Sequence, residues 1–72
     1  MRYAVVETKK AENIGIRREY HRLNSDKSRM VVNENELKYE GDPEELAKQL
    51  GSKLITRTEL DIIMNSKAWQ LK

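Results

Sequence analysis

The chain has 72 residues, no cysteine and one histidine, and its 14 basic residues nearly balance 12 acidic ones for a net charge of +2. A chain of this length forms one domain with a small, marginal core. Disulfides are excluded, and with His21 alone so is a zinc site built from Cys and His. At 38% hydrophobic residues and so low a net charge the sequence does not read as disordered; nor does the whole molecule attract nucleic acid, so any such binding needs a local patch.

Tyr3-Ala4-Val5-Val6 is aromatic and β-branched and is expected to form a strand. Residues Lys9 to Asn13 read as a loop, and Ile14-Gly15-Ile16 opens a second strand that continues through Arg17-Arg18-Glu19-Tyr20-His21-Arg22-Leu23. Alternation puts Ile16, Arg18, Tyr20 and Arg22 on one face and Arg17, Glu19, His21 and Leu23 on the other. Neither face is cleanly apolar, which predicts a solvated or edge strand. Asn24 to Ser28 is a turn cluster, since Asn, Asp and Ser side chains bond their own backbone in turns. Arg29-Met30-Val31-Val32 closes a hairpin. Asn33-Glu34-Asn35 marks another turn, and Leu37 and Tyr39 alternate with charges in a last short strand.

Two helices follow. Asp42 suits the N-cap and Pro43 the first helical position, where the missing N–H has no helical partner anyway. Glu44 and Glu45 complement the helix dipole; Leu46, Ala47 and Leu50 form an apolar stripe, and Gly51 supplies the left-handed residue past the end. Ser52 to Ile55 is a connector, briefly extended. Thr56 and Glu59 then form a capping box. At about 100° per residue, Leu60, Ile63, Met64, Ala68 and Leu71 share one side of the second helix; Ile62 and Trp69 fall together on the opposite side. Asn65-Ser66 is a possible stop before Trp69.

Glu45-Leu46-Ala47-Lys48-Gln49-Leu50-Gly51 resembles the first helix of the helix-turn-helix family, in which a small residue and a glycine four apart allow the second helix to approach and the chain to turn. The resemblance implies DNA reading by the following helix. The sequence departs from the pattern at Ser52 and Arg57, where apolar residues belong. Glu59 and Asp61 against one Arg57 also set the wrong charge facing phosphates.

The most positive surface lies in the hairpin. Arg17, Arg18, Arg22, Lys27 and Arg29 surround Tyr20, opposed only by Glu19 and Asp26. Arginine forks onto phosphate and tyrosine stacks on an unpaired base, so these six are the candidate contacts to DNA or RNA. The plain alternative is that the arginines pair with Glu34, Glu36 and Glu40 on neighbouring strands. Ile62 and Trp69 are the candidate surface for another copy or another protein, because Trp is enriched where interfaces gain their energy.

Other chemistry has little support. The acidic residues between Glu34 and Glu45 lack calcium-loop spacing. No nucleophile elbow or phosphate loop occurs, and His21 reads as an exposed strand histidine able to titrate near neutrality. No apolar run approaches the roughly 20 residues of a membrane helix, and the start of the chain is too short an apolar stretch for a secretory signal, so a cytoplasmic location and no membrane partner are expected.

The expected fold is α+β in a single domain over 1–72: a small antiparallel sheet of three or four strands within about 2–40, then helices at about 43–51 and 57–68 packed on one face. Val5, Val31, Leu37, Leu46, Leu50, Leu60, Ile63 and Met64 are its predicted core. The expected function is a small non-enzymatic binding module without metal or cofactor. Its partner is nucleic acid on the basic hairpin or, alternatively, protein on the Ile62/Trp69 surface, as a homodimer or a subunit of a larger complex.

Overall fold

The structure, a computed structural model, describes residues 1–70, without the side chains of Ala68 and Gln70; the stripe positions expected for Ala68 and Leu71 lie outside the described residues. The elements are β1 (Tyr3–Glu7), α1 (Thr8–Asn13), a 3₁₀ turn (Arg18–Tyr20), β2 (Arg22–Leu23), β3 (Arg29–Asn33), α2 (Glu34–Glu40), α3 (Pro43–Gln49), α4 (Arg57–Met64) and α5 (Lys67–Gln70). The fold is α+β, with one three-stranded antiparallel sheet in the order β1-β3-β2.

The register sets Ala4 opposite Val32, Val5 opposite Val31 and Val6 opposite Met30. Successive side chains of a strand point to opposite faces. Ala4, Val6, Met30 and Val32 therefore enter one core, with Ala11 of α1, Leu37 of α2, and Ala47 and Leu50. Val5 enters a second core with Ile55, Leu60 and Trp69, onto which Tyr3, Val31, Ile63 and Met64 pack. The helices thus cover both faces of the sheet, not one as expected. A sheet buried on both faces reads as continuous apolar runs, which is what Ala4-Val5-Val6 and Met30-Val31-Val32 are. Every predicted core residue belongs to one of these clusters or packs against it.

Three segments differ from their expected state. Lys9 to Asn13 is helix, not loop: α1 buries Thr8 and Ala11 three residues apart on its inner side. It ends in a Schellman turn, with Gly15 at φ 94°, Ile16 N–H donating to the Ala11 carbonyl and Gly15 N–H to that of Glu12. Of Arg17–Leu23 only Arg22 and Leu23 pair as strand, and Arg18–Tyr20 winds into a 3₁₀ turn. Leu37 and Tyr39 lie on a helix, not a strand. Asn33 and Glu36 form a capping box that starts α2, and the two side chains diverge: Leu37 is fully buried while Tyr39 is 92% exposed. In a strand, residues two apart would share a face.

The C-terminal half follows its local signals. Asp42 caps α3 through Glu44 N–H. Gly51, at φ 78°, ends the helix in a second Schellman turn, with Ser52 N–H on the Ala47 carbonyl and Gly51 N–H on that of Lys48. Thr56 and Glu59 cap α4 reciprocally. That helix stops at Met64, earlier than the expected 68, and Ser66 Oγ donates to the Ile63 carbonyl at 2.6 Å at the break. The separate α5 then turns Trp69 into the second core, 6% exposed, whereas Ile62 is 67% exposed. The two residues do not form a common surface, because the break at Asn65-Ser66 removes the helical phase that related them.

Two outcomes test this arrangement. Thr56→Ala and Asn33→Ala should each lower the stability measured by urea unfolding by about 1 kcal/mol, the usual worth of an N-cap. Trp69→Ala should cost about 3–5 kcal/mol as a core truncation, while Ile62→Ala should stay within about 0.5 kcal/mol; equal effects would contradict the placement of Trp69.

Candidate anion-binding groove

The structure disperses the six hairpin candidates. Arg18 forks onto Glu12 of α1, with Nε at 2.9 Å and Nη2 at 2.8 Å. Arg17 donates to Glu19 at 2.8 Å and lies 5.7 Å from the centre of the Tyr20 ring, which is itself exposed. These two arginines are therefore neutralised, but by glutamates of their own neighbourhood. Glu34 is taken by Arg2 at 2.9 Å and Glu36 faces His21. Lys27 sits at the hairpin tip at φ 63°. Arg22 and Arg29 project from the other face of the sheet. Arg22 reaches Met64 Sδ at 3.9 Å, and Arg29 lies 5.7 Å from the centre of the Trp69 ring.

His21 is not the exposed strand residue expected. Its side chain is 7% exposed, with Nδ1 2.7 Å from the Arg17 carbonyl and Nε2 against the Glu36 carboxylate. A carbonyl can only accept, so Nδ1 carries a proton. The ring ties the 3₁₀ turn to α2 and is used structurally.

Arg29 is held by the turn before it. Asn24, 7% exposed, donates its N–H to the Arg29 carbonyl at 3.1 Å, and its Oδ1 accepts from Arg29 N–H at 3.0 Å. Asp26 accepts from both the N–H and the hydroxyl of Ser28, at 3.0 and 2.6 Å, and so tightens the same turn. The fixed backbone lays the Arg29 side chain along the second core, at the rim of a groove of about 480 Å³. Val5, Ile55 and Ile63 supply its apolar lining; Lys48, from the last turn of α3, and Lys53, just past Gly51, complete the cationic rim. The sequence reading missed both lysines.

Gly51 sets the wall on which Lys53 stands. Its φ of 78° is the left-handed conformation that favours glycine, and the Glu7 carboxylate lies where a Cβ would stand, so any larger residue would be strained and would displace that side chain. The connector then follows the outer edge of β1: Glu7 N–H donates to Leu50, and Tyr3 and Ile55 exchange both backbone bonds at 2.8 and 2.7 Å. Residues two apart face the same edge of a strand, so Val5 faces it too. No main-chain hydrogen bond crosses there among the described residues.

The charge of this groove is one-sided. Among the described residues no carboxylate lines it, and none of Arg29, Lys48 and Lys53 is ion-paired. The neighbouring acids have other partners, although Glu59 also feels the charge of Lys53. Glu7 pairs with Lys10 at 3.2 Å, Glu44 lies 3.7 Å from Arg2, and Glu59 accepts from Thr56 N–H at 3.1 Å. Two other hollows carry both signs: one has Lys9, Arg18 and Lys27 with Glu7 and Asp26, the other Arg17 and His21 with Glu36 and Glu40. No group of three or more His, Asp or Glu side chains that could hold a metal occurs among the described residues.

The ion-paired and hydrogen-bonded carboxylates leave a signature in acid. The Arg18 guanidinium holds the Glu12 carboxyl below the ordinary range, Arg17 does so for Glu19, Ser28 for Asp26, Arg2 for Glu34 and the Thr56 N–H for Glu59. Groups lowered in the folded state stabilise it above their unfolded values near pH 4 and lose that contribution as pH falls through the folded values. The urea midpoint should therefore drop between about pH 5 and pH 3, and less steeply for Arg18→Gln, in which Glu12 loses its partner; a midpoint flat across that interval would contradict these pairings.

Comparison of the chain with protein-family models, with curated proteins and with solved structures finds no significant match.

Proposed function

We propose that the chain is a small non-enzymatic binding module for an anionic partner, and that the groove rimmed by Arg29, Lys48 and Lys53 is its site. One observation carries this reading: three cations from β3, α3 and the following connector converge on one groove without a carboxylate among them. Unpaired surface lysines are ordinary one at a time. Their convergence on an apolar floor is what a site for an anion with an apolar part requires. Ser52 is the one hydroxyl residue lining the groove among the described residues; it donates to the adjacent Lys53 carbonyl at 3.4 Å, and no carboxylate or imidazole lines the groove beside it, which supports binding without turnover.

Nucleic acid held by the hairpin is the second reading. It is favoured by Arg22, Lys27 and Arg29, which have no carboxylate partner among the described residues, and not by Arg17 and Arg18, which do.

Titration of the ¹⁵N-labelled protein with inorganic phosphate and with short DNA and RNA strands at low salt tests both readings. The groove reading expects amide shifts at Gly51, Ser52, Lys53 and Ile55 that weaken with added salt. The shifts should vanish in Arg29→Gln/Lys48→Gln/Lys53→Gln and survive in Arg17→Gln/Arg18→Gln. Nucleic acid on the hairpin would instead shift residues 22–29, with a log–log salt slope reduced by about 0.7–0.9 for each phosphate contact removed. An absence of shifts at the groove with every anion, acidic peptides included, would remove the groove reading.

A further inference from the structure

The cationic groove also constrains what kind of anion it takes. We propose that its occupant is a short acidic segment of another protein, with an aliphatic side chain between carboxylates; this rests on the reading of the groove as the binding site. Three observations point to a peptide and away from a nucleic acid.

The first is the floor. Val5, Ile55 and Ile63 are aliphatic, and neither aromatic ring of the second core is among the lining residues: Trp69 is buried with Arg29 lying against it, and Tyr3 has Arg57 over its ring. Binding of single strands rests on exposed rings for base stacking, and none lines this groove. An aliphatic floor takes a leucine- or isoleucine-like side chain.

The second is the extent of the positive charge. It is interrupted by carboxylates on both sides of the groove. Beyond Lys48 and Lys53 the adjoining hollow holds Glu44 together with Arg2, and Glu7 lies against Gly51 on the near side. A nucleic acid carries a charge every few ångströms and needs a track of cations. A peptide with two or three carboxylates needs only the three cations present.

The third is the edge of β1. Its backbone is bonded outward at Tyr3 and at Glu7, and between them Val5 directs its N–H and C=O toward the same edge without a main-chain partner among the described residues. Extended peptides use such groups, with alternate side chains seated in pockets beside the strand. Val5 offers one donor and one acceptor next to the apolar floor. This matches an aliphatic residue of the ligand, flanked by carboxylates that reach Arg29 on one side and Lys48 and Lys53 on the other.

The probe is a blocked synthetic peptide with one leucine between glutamates. Its controls are the same peptide with glutamine for glutamate, the same with alanine for leucine, and single-stranded and duplex oligonucleotides of equal charge, all titrated into the intact ¹⁵N-labelled chain. The acidic leucine peptide should shift the Val5, Lys53 and Ile55 amides. Both peptide controls should bind more weakly, and Lys48→Gln and Lys53→Gln should each reduce affinity about twofold to fivefold, the range for a single exposed charge pair. Ile63→Ala should reduce affinity for the leucine peptide and leave the alanine peptide unchanged, a difference that general loss of folding would not produce. Oligonucleotides that shift these amides where the acidic peptide does not would overturn the peptide assignment and leave the anion site standing. Binding of the glutamine peptide as tightly as the glutamate one would overturn it too. Failure of phosphate, oligonucleotides and peptides alike to shift the groove would overturn both readings.

Discussion

The pairing of β1 with β3 is the constraint on which the rest of the molecule depends. Five registered residue pairs send even-numbered side chains to one core and odd-numbered ones to the other. A slip of one residue would exchange the two sets, placing Met30 and Val32 where Val31 and Arg29 stand. Met30, Val6 and Val32 are fully buried among α1, α2 and α3. The other face has fewer and larger parts, with Leu60 and Trp69 covering Val5. A chain of 72 residues without cysteine gains stability by using both faces of a small sheet. The β1–β3 ladder, close to the centre of both cores, is where a one-methylene change will be felt most.

That same register places the groove. Arg29 is an odd-numbered residue at the end of β3, opposite Glu7, so it shares its face with Val5 and the second core. The helix stop at Gly51 then brings Lys48 and Lys53 to the facing edge. Neither lysine is placed by a contact made for binding: Lys48 complements the negative end of α3, and Lys53 follows from where the Schellman turn directs the chain. The groove is a by-product of closing β1 at Tyr3 and Glu7 with a connector that has no bond to spare for Val5.

How far the sequence could be read depended on whether the signal was local. The caps at Asp42 and Thr56 and the stop at Gly51 are complete within a few residues, and they stand as read. Asn33 and Glu36 are the same kind of signal. They were obscured because Asn33-Glu34-Asn35 also reads as a turn, and because Leu37 and Tyr39 satisfy a period of two as well as the start of a helix. Only burial separates those readings. α1 is a six-residue helix with no side-chain cap at its start, and the glycine that ends it, Gly15, sits in Ile14-Gly15-Ile16, which reads as the opening of a strand. The nonlocal features were beyond pattern reading. Nothing in the spacing of Arg29, Lys48 and Lys53 says that they meet. Nothing in Arg17-Arg18 says that Glu12 and Glu19 take them before Glu34, Glu36 or Glu40 can.

The distribution of paired and unpaired charge is the last step. Exposed ion pairs add little to stability, so leaving Arg29, Lys48 and Lys53 outside any ion pair costs the fold little. Gathering them does cost something, because like charges around a low-dielectric floor repel more strongly than the same charges dispersed in water. The acids near at hand have other partners, Glu7 in Lys10, Glu44 in Arg2 and Glu59 in the cap of α4, although Glu59 also feels the charge of Lys53 and relieves part of it. A surface selected only for solubility would intersperse its signs. One that sets three cations around an aliphatic floor, with the nearest acid, Glu7, held by Lys10, keeps a repulsion that the proposed carboxylate ligand would relieve. The proposed affinity of the groove for an anion and its mild internal repulsion then share one electrostatic origin, which traces to the odd-numbered face of the β1–β3 ladder.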